Sequence, residues 1–274
     1  MNIEEKILSL FEKNEKRREL LEWFNNDEQN QELLKLYNSK DGVIKEIEEL
    51  NKELKCGKLA LLLPSVPRNY QKAKYKIMAI GQELNGGYGI RSEPRITMLD
   101  NLRGQSFDSC GRGFFSFPAK LCHAVNEIGG KLNRKEIRSY FVWAEIRKFS
   151  YWKPVKKPIV YKKPSSRLNN KVQNLIDTKF NILEDEIRII NPDIVLFLTG
   201  PNYDDYIRTQ LDGVKFYELE KSGYKKRQFA RVEHPVLEGR KAFRVYHPGY
   251  LNRIKRKTEL GKKCMAELLI ECKK

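Results

Sequence analysis

The sequence predicts an α/β protein whose central sheet is of the parallel type, with helices on both faces. Short apolar strands alternate along the chain with helix-length segments, the pattern of a covered parallel sheet. The 274 residues are 40% hydrophobic, enough to bury a sizeable core. No apolar run approaches the roughly 20 residues that a membrane-spanning helix needs. We therefore expect a soluble α/β protein.

The amino-terminal region is predicted to be helical, because its apolar residues recur at helical spacing. A second helix is predicted from Glu32 to Leu54, with an interruption near Asp41-Gly42. We expect residues 1–59 to form a helical appendage without chemistry of its own, and residues 60–274 to form the α/β domain. The residues that set the spacing of the first helix are Ile7, Leu8, Leu10, Phe11, Leu20, Leu21 and Phe24.

The remaining elements follow from the apolar runs after Lys74. Strands are predicted at 77–80, 140–146, 194–198 and 242–246. Helices are predicted at 118–128, 172–190, 204–211 and 257–272. Ligands of such folds bind at the carboxyl ends of the strands. Residues that directly follow a strand are therefore the first candidates for a functional site.

The net charge of +17 is unevenly distributed. Residues 1–59 contain 11 Lys/Arg and 14 Asp/Glu, so residues 60–274 carry an excess of 20 positive charges. Such an excess on one domain favours a polyanionic partner, most often nucleic acid. The alternative is a basic surface that serves only solubility.

The cysteines and the start of the chain bear on the compartment. Residues 1–21 are charged throughout, unlike a secretory signal. The five cysteines include no Cys-x-x-Cys pair, so we expect reduced thiols in the cytoplasm, and no disulfide framework, zinc site or iron–sulfur cluster. The cysteines are Cys56, Cys110, Cys122, Cys264 and Cys272.

Two strand ends carry polar residues suited to chemistry. Gly81-Gln82-Glu83 ends the first strand, and glycine there lets the backbone approach a ligand closely. His247-Pro248 follows the last strand, where the imidazole would face the same crevice. His234-Pro235 precedes that strand, so we expect it at the opposite edge. Taken singly, either strand end also fits an ordinary turn.

Together these segments resemble the uracil-DNA glycosylase superfamily. Gly81-Gln82-Glu83-Leu84-Asn85 resembles its first motif, Gly-Gln-Asp-Pro-Tyr-His in the founding branch, and His247-Pro248-Gly249-Tyr250-Leu251 resembles its His-Pro-Ser-x-Leu motif. Phe114-Phe115-Ser116 resembles a Cys-Phe-Ser segment, and Ala144-Glu145-Ile146-Arg147-Lys148 resembles a Thr-Asn-x-x-Lys element. The resemblance covers about residues 74–274, with the segments in the family's order.

The resemblance implies hydrolysis of the bond between a flipped DNA base and its sugar, without a metal or other cofactor. Glu83 would place the water and stabilise the cationic sugar, and His247 would donate to the base oxygen. The backbone N–H of Gln82 would bind the same oxygen, and Phe115 would stack on the base. Leu251 would act as an apolar wedge in the DNA. Its neighbours Tyr250 and Arg253 are expected to contact DNA.

Three departures from the motifs bear on the rigidity of the site and on the choice of base. Leu84 replaces a proline, which predicts a looser hold on Glu83. Asn85 stands in place of a tyrosine that excludes C5-substituted bases, so a bulky C5 group would fit. Glu145 occupies the position of the asparagine that reads the base in the family. A carboxylate only accepts hydrogen bonds, which suits the exocyclic amine of cytosine. The alternative is that Glu145 is structural and the alignment is shifted by one.

A basic loop from Arg147 to Lys171 contains nine Lys/Arg, no acids and interspersed aromatic residues. Basic and aromatic side chains together are typical of a nucleic-acid groove. We expect DNA contacts from Lys156, Lys157, Lys162 and Lys163.

The sequence thus predicts a monofunctional DNA glycosylase acting on a pyrimidine, with a C5-substituted cytosine favoured and a defence role against phage DNA as one hypothesis. Three alternatives stay open: a uracil-DNA glycosylase of base-excision repair, a catalytically weak nucleic-acid-binding module on the same fold, and an enzyme of free nucleotides. The oligomeric state is not predicted.

Overall fold

A computed structural model describes residues 9, 15–56, 58–83, 94–107, 115–128, 138–152, 168–219, 223–251 and 255–273. Within these ranges no helix is both long and apolar enough to cross a membrane. The helices are α1 (Glu15–Asn26), α2 (Glu28–Ser39), α3 (Asp41–Glu53), α4 (Pro94–Phe107), α5 (Ser116–Val125), α6 (Asn170–Lys179), α7 (Leu183–Ile190), α8 (Asp204–Gln210), α9 (Pro248–Leu251) and α10 (Lys255–Lys273). The strands are β1 (Lys58–Leu61), β2 (Ile77–Glu83), β3 (Phe141–Arg147), β4 (Phe149–Trp152), β5 (Ile194–Phe197), β6 (Lys215–Glu218), β7 (Phe229–Glu233) and β8 (Lys241–Val245).

The main sheet has six strands in the order β3-β2-β5-β8-β7-β6. The first four are mutually parallel, whereas β7 and β6 continue the sheet antiparallel. The prediction of an α/β fold with a mostly parallel sheet is confirmed, but β6 and β7 were missed. Both are short, and β6 buries only Phe216, so neither has the continuous apolar run of a doubly covered strand. Strands β1 and β4 form a separate antiparallel ribbon.

Helices cover both faces of the sheet, and the four parallel strands alternate between two hydrophobic cores. On β2, Met78 and Ile80 belong to one core, and Ile77 and Ala79 belong to the other. The first core is covered by helices α1 to α4 and α6 to α8, and the second by α5, α9 and α10. The four parallel strands therefore end at one edge, between two helical layers.

The helix predicted at 172–190 is two helices, α6 and α7. They are separated at Phe180–Ile182, where Phe180 and Ile182 are both fully buried and the chain turns to bring each into the core. Asn191, in the left-handed conformation at φ 46°, ends α7 directly before Pro192. The break was invisible in the sequence because the apolar spacing continues through it.

The amino-terminal helices pack into the first core with the sheet. Phe24 and Tyr37 are fully buried there. The hydroxyl of Tyr37 donates to Glu186 of α7 at 2.9 Å, and the other carboxylate oxygen of Glu186 accepts from Lys148 at 2.6 Å. Asn30 and the backbone of Val66 exchange hydrogen bonds of 2.8 and 2.9 Å. The helices predicted to be an appendage thus share a continuous core and a buried polar network with the α/β part.

Candidate functional site

The candidate site lies at the edge where the parallel strands end. Glu83 is the last residue of β2, and His247 lies two residues beyond β8. A single strand, β5, separates β2 from β8. Neighbouring strands are about 4.8 Å apart, so the two strand ends are about 10 Å apart across the sheet. Glu145 lies on β3, on the far side of β2, level with Gly81. The topology thus gathers the three predicted polar side chains at one edge.

Glu83 is held by two neighbours. The guanidinium of Arg147 on β3 donates to its Oε2 at 2.7 Å, in a pair that is almost entirely buried. The hydroxyl of Tyr203, in the turn after β5, also donates to Glu83. Burial raises the pKa of Glu83, while Arg147 and the two hydrogen bonds oppose that rise. Leu84, from which a looser hold on Glu83 was predicted, lies outside the described ranges.

Arg147 is itself fixed on several sides. It donates to Gln173 of α6 at 2.7 Å, and its guanidinium lies 4.9 Å from the ring centroid of Tyr206 on α8. Gln173 in turn donates to Asp177 at 2.6 Å. Tyr203, Arg147 and Gln173 were missed as site residues, since they lie far from Glu83 in sequence. Arg147 belongs to the segment that resembles the Thr-Asn-x-x-Lys element, but at one of its unspecified positions, and Tyr203 and Gln173 belong to no motif.

Gln82 links the end of β2 to β5. Its side-chain amide donates to the carbonyl of Thr199 at 2.6 Å. The next residue, Gly200, has φ 71°, and a Cβ there would lie 3.5 Å from the ring of Tyr246. The side chain of Gln82 therefore braces the turn that borders the crevice between β2 and β8.

A hydrogen bond to one ring nitrogen of His247 indicates which of the two nitrogens carries the proton. Nδ1 accepts from the backbone N–H of Gly249 at 3.1 Å. A ring nitrogen that accepts carries no proton, so neutral His247 carries its proton on Nε2. A side chain at Gly249 would crowd the ring, because its Cβ would lie 3.0 Å from Nδ1. The loop thus sets the tautomer in which Nε2 is a donor.

Glu145 is a buried carboxyl with one hydrogen-bond donor among the residues that the structure describes. The indole N–H of Trp143 donates to its Oε1 at 3.1 Å. Its Oε2 is buried and has no hydrogen-bond partner within the described ranges. Burial raises the pKa of Glu145 to about 8, Lys148 and Trp143 oppose the rise, and Glu83 adds to it. Burial therefore favours the neutral form of Glu145, whereas the sequence predicted a carboxylate that only accepts hydrogen bonds.

The placement of Phe115 does not match its predicted stacking role. The ring is 3% exposed and packs edge-on against Trp143, with centroids 4.7 Å apart. The guanidinium of Arg138 lies 4.6 Å from its centroid. These neighbours and its burial in the second core leave no open face for a base. In this conformation Phe115 supports Trp143, and through it Glu145, rather than a flipped base.

The expectation that Leu251 projects as a wedge is also corrected. Leu251 is 1% exposed and lies against Gly261 of α10, whose Cβ would stand 3.4 Å from that of Leu251. Short helix α9 turns this side chain inward, so it packs in the core. Its neighbour Tyr250 is 41% exposed and its ring lies 4.8 Å from that of Tyr246. The exposed aromatic residue of the His-Pro loop is Tyr250.

Several predicted site residues lie outside the described ranges, and their roles stay predictions. They are Asn85, Lys156, Lys157, Lys162, Lys163 and Arg253.

The opposite edge of the sheet carries a groove of about 800 Å³ around the start of β8. His234 lies there, as predicted, and its Nε2 is 2.9 Å from the carbonyl of Asp212. Two cations of the groove have partners: Arg231 pairs with Glu233 at 2.6 Å, and Lys241 donates to the carbonyl of Cys272 at 2.8 Å. The arrangement fits a structural surface.

Comparison with known proteins adds no relative. No protein-family model matches the chain, and a search of curated proteins found no match. The case for a function therefore depends on the geometry of the strand ends.

Proposed function

We propose that this protein is a DNA glycosylase that hydrolyses the N-glycosidic bond of a flipped pyrimidine, with a C5-substituted cytosine as the favoured base. The observation that carries the proposal is that a braced carboxyl, Glu83, and a donor histidine, His247, follow strands β2 and β8 at one edge of a parallel sheet, with β5 between those strands. That edge is where α/β folds bind ligands.

In the proposed reaction, Glu83 and His247 stabilise opposite charges that develop on the sugar and on the base. The bond between C1′ and N1 breaks, and its electron pair leaves with the base. A water molecule adds to C1′, and the proton that it loses passes through solvent to the base anion, which leaves an abasic sugar and the neutral free base. Glu83 would hold the water and stabilise the positive charge on the sugar. The Nε2–H of His247 would donate to the base oxygen, where the negative charge develops.

The ion pair with Arg147 suits this role for Glu83. A lone buried carboxyl would be protonated and would provide little negative charge. Arg147 opposes that effect, and Tyr203 adds a second hydrogen bond to the carboxylate. Two donors from different elements also hold the group in one position, which electrostatic stabilisation requires.

DNA as the partner is supported by the charge of residues 60–274, which carry an excess of 20 positive charges. The stacked pair Tyr246 and Tyr250 beside His247 offers an aromatic surface for a base next to the flipped one. A uracil-specific enzyme is the second candidate, because uracil carries the same O2 to which His247 would donate.

The test is base release from matched duplexes that contain uracil, cytosine, 5-hydroxymethylcytosine or its glucosylated form, scored as alkali-labile abasic sites. We expect release from at least one cytosine-type duplex. Release from uracil alone would establish the second candidate. An absence of release from all four substrates would contradict the glycosylase proposal and leave a DNA-binding module.

A further inference from the structure

The carboxyl group of Glu145 has two oxygens in different surroundings. Oε1 faces Trp143 on its own strand and accepts the indole N–H at 3.1 Å. Oε2 is the oxygen closer to β2: it lies nearest to the position that a Cβ on Gly81 would occupy, whereas Oε1 would be 2.9 Å from it. Only because residue 81 is glycine is there room for this carboxyl group. Oε2 is also the oxygen without a partner within the described ranges.

The charged groups around Glu145 do not neutralise it as an ion pair. Lys148 follows three residues later, but its ammonium is 2.6 Å from Glu186. Arg147 is bound to Glu83, a carboxyl that itself disfavours a negative charge on Glu145. Arg138 lies over the ring of Phe115. A buried carboxylate with one hydrogen bond and no ion pair is costly, and such a group retains its proton instead.

The environment also indicates which oxygen carries the proton. A carbonyl oxygen is the natural acceptor of the Trp143 N–H, so Oε1 is the carbonyl and Oε2 is the hydroxyl. Glu145 therefore presents a donor on the side of β2 and an acceptor on the side of Trp143. This order follows from Trp143 and Gly81 together.

The orientation of the base follows from the order of strands. His247 lies beyond β8 and would bind the base oxygen O2, and Glu145 lies on β3 at the other end of the parallel block. The ring position next to O2 is N3, and the 4-substituent is farther away. Oε2, on the side of β2 and hence of β8, would meet N3, and Oε1 would meet the 4-substituent.

We propose that Glu145 selects cytosine over uracil as a neutral carboxylic acid, with Oε2–H donating to N3 and Oε1 accepting from the exocyclic amine. Cytosine has an acceptor at N3 and a donor at position 4, so both contacts are satisfied. Uracil has a donor at N3 and an acceptor at position 4, so a donor would face a donor at N3 and an acceptor would face an acceptor at position 4. The inference rests on the proposed glycosylase activity and adds the residue that determines its specificity.

The main test compares the parent protein with Glu145→Gln over pH 6 to 9.5. A glutamine amide would place its carbonyl at Trp143 and its NH₂ toward N3, the same donor and acceptor order without a titrating proton. For the parent, kcat/KM on cytosine-type duplexes should fall about tenfold per pH unit above the pKa of Glu145, because kcat/KM reports the free enzyme. Glu145→Gln should prefer cytosine as the parent does and lack this decline.

Coincident pH profiles, or loss of cytosine release in Glu145→Gln at pH 6.5, would overturn the inference.

A second measurement is independent of catalysis: an infrared difference spectrum between the parent and Glu145→Gln at pH 7. We expect the carbonyl band of a protonated carboxylic acid in the parent alone, and its disappearance as the pH is raised to 9.5. Absence of the band at pH 7 refutes the neutral acid whether or not any base is released. Its presence without base release from any duplex would instead count against the glycosylase proposal.

Discussion

The carboxyl group of Glu145 occupies the space that a side chain at Gly81 would need. A Cβ at Gly81 would lie 2.8 Å from the carboxyl carbon and closer still to Oε2, although the two residues are 64 positions apart in sequence. Gly81 and Glu145 are direct partners in the register of β2 and β3. Gly81 is therefore needed here for a contact inside the sheet.

Gly81→Ala should lower the free energy of unfolding by about 1–3 kcal/mol, the usual cost of overpacking. The double variant Gly81→Ala/Glu145→Ala should recover part of that loss, since the clash is removed, and urea unfolding measures both. Gly42→Ala is the matched control, because a Cβ there would meet nothing within 4 Å. Additive effects of the two substitutions would show that Glu145 does not fill the space beside Gly81.

Arg147→Gln should shift the pH dependence of base release upward. Arg147 lowers the pKa of Glu83, so its removal leaves the rise caused by burial opposed by Tyr203 alone among these contacts. The ionised form of Glu83 is then lost at a higher pH, and the acidic limb of the kcat/KM profile moves toward neutrality. Arg208→Gln, which removes an exposed guanidinium paired with Asp205, is the control and should leave the limb in place. If the acidic limb of the kcat/KM profile does not move in Arg147→Gln, the ionisation of Glu83 does not determine that limb.

His247→Ala should reduce base release by at least about 10²-fold, as expected for the loss of one donor to a developing anion. The chain supplies its own control in His234→Ala, since His234 also precedes a proline but lies at the opposite edge of the sheet. Single-turnover kinetics on the best substrate measures both. Equal losses in the two variants would indicate a folding effect rather than a catalytic one.

Tyr250→Ala should lower release from duplex DNA by roughly 5- to 150-fold, corresponding to about 1–3 kcal/mol of stacking. Release from single-stranded DNA should change less, because that substrate requires no unpairing. Tyr217→Ala, which removes a comparably exposed tyrosine on β6, should leave release from both kinds of DNA unchanged.

Leu251→Ala should instead lower the free energy of unfolding by about 2–5 kcal/mol, because it truncates a side chain in the core. If Leu251→Ala is as stable as the parent protein but releases less base from duplex DNA, that result would support the predicted wedge role of Leu251.

Replacing Lys156, Lys157, Lys162 and Lys163 with glutamine should weaken DNA binding and reduce the slope of log affinity against log salt by up to about 3–4. The comparison is the same replacement at four lysines of the acidic amino-terminal region. These are Lys16, Lys35, Lys40 and Lys52. Fluorescence anisotropy between 50 and 200 mM salt measures the slope. Equal slopes for the two variants would exclude the basic loop from the DNA interface.

The sequence by itself determined the α/β class and the residues at the strand ends. The apolar runs of β2, β5 and β8 are bounded by glycine, proline or polar residues, so their ends were predicted to within a few residues. Because parallel strands share one carboxyl edge, Glu83 and His247 could be assigned to the same crevice before any coordinates. Local periodicity and chain direction are sufficient for both inferences.

Only the tertiary structure decided which neighbours these residues have. The partner of Glu83 is Arg147, 64 residues away, and the raised pKa of Glu145 depends on its burial. The inward turn of Leu251 depends on helix α10, which follows it. Ionisation, burial and stacking depend on contacts between distant segments, which periodicity does not encode. The sequence therefore placed the chemical groups at the edge of the sheet, and packing determined their charge and accessibility.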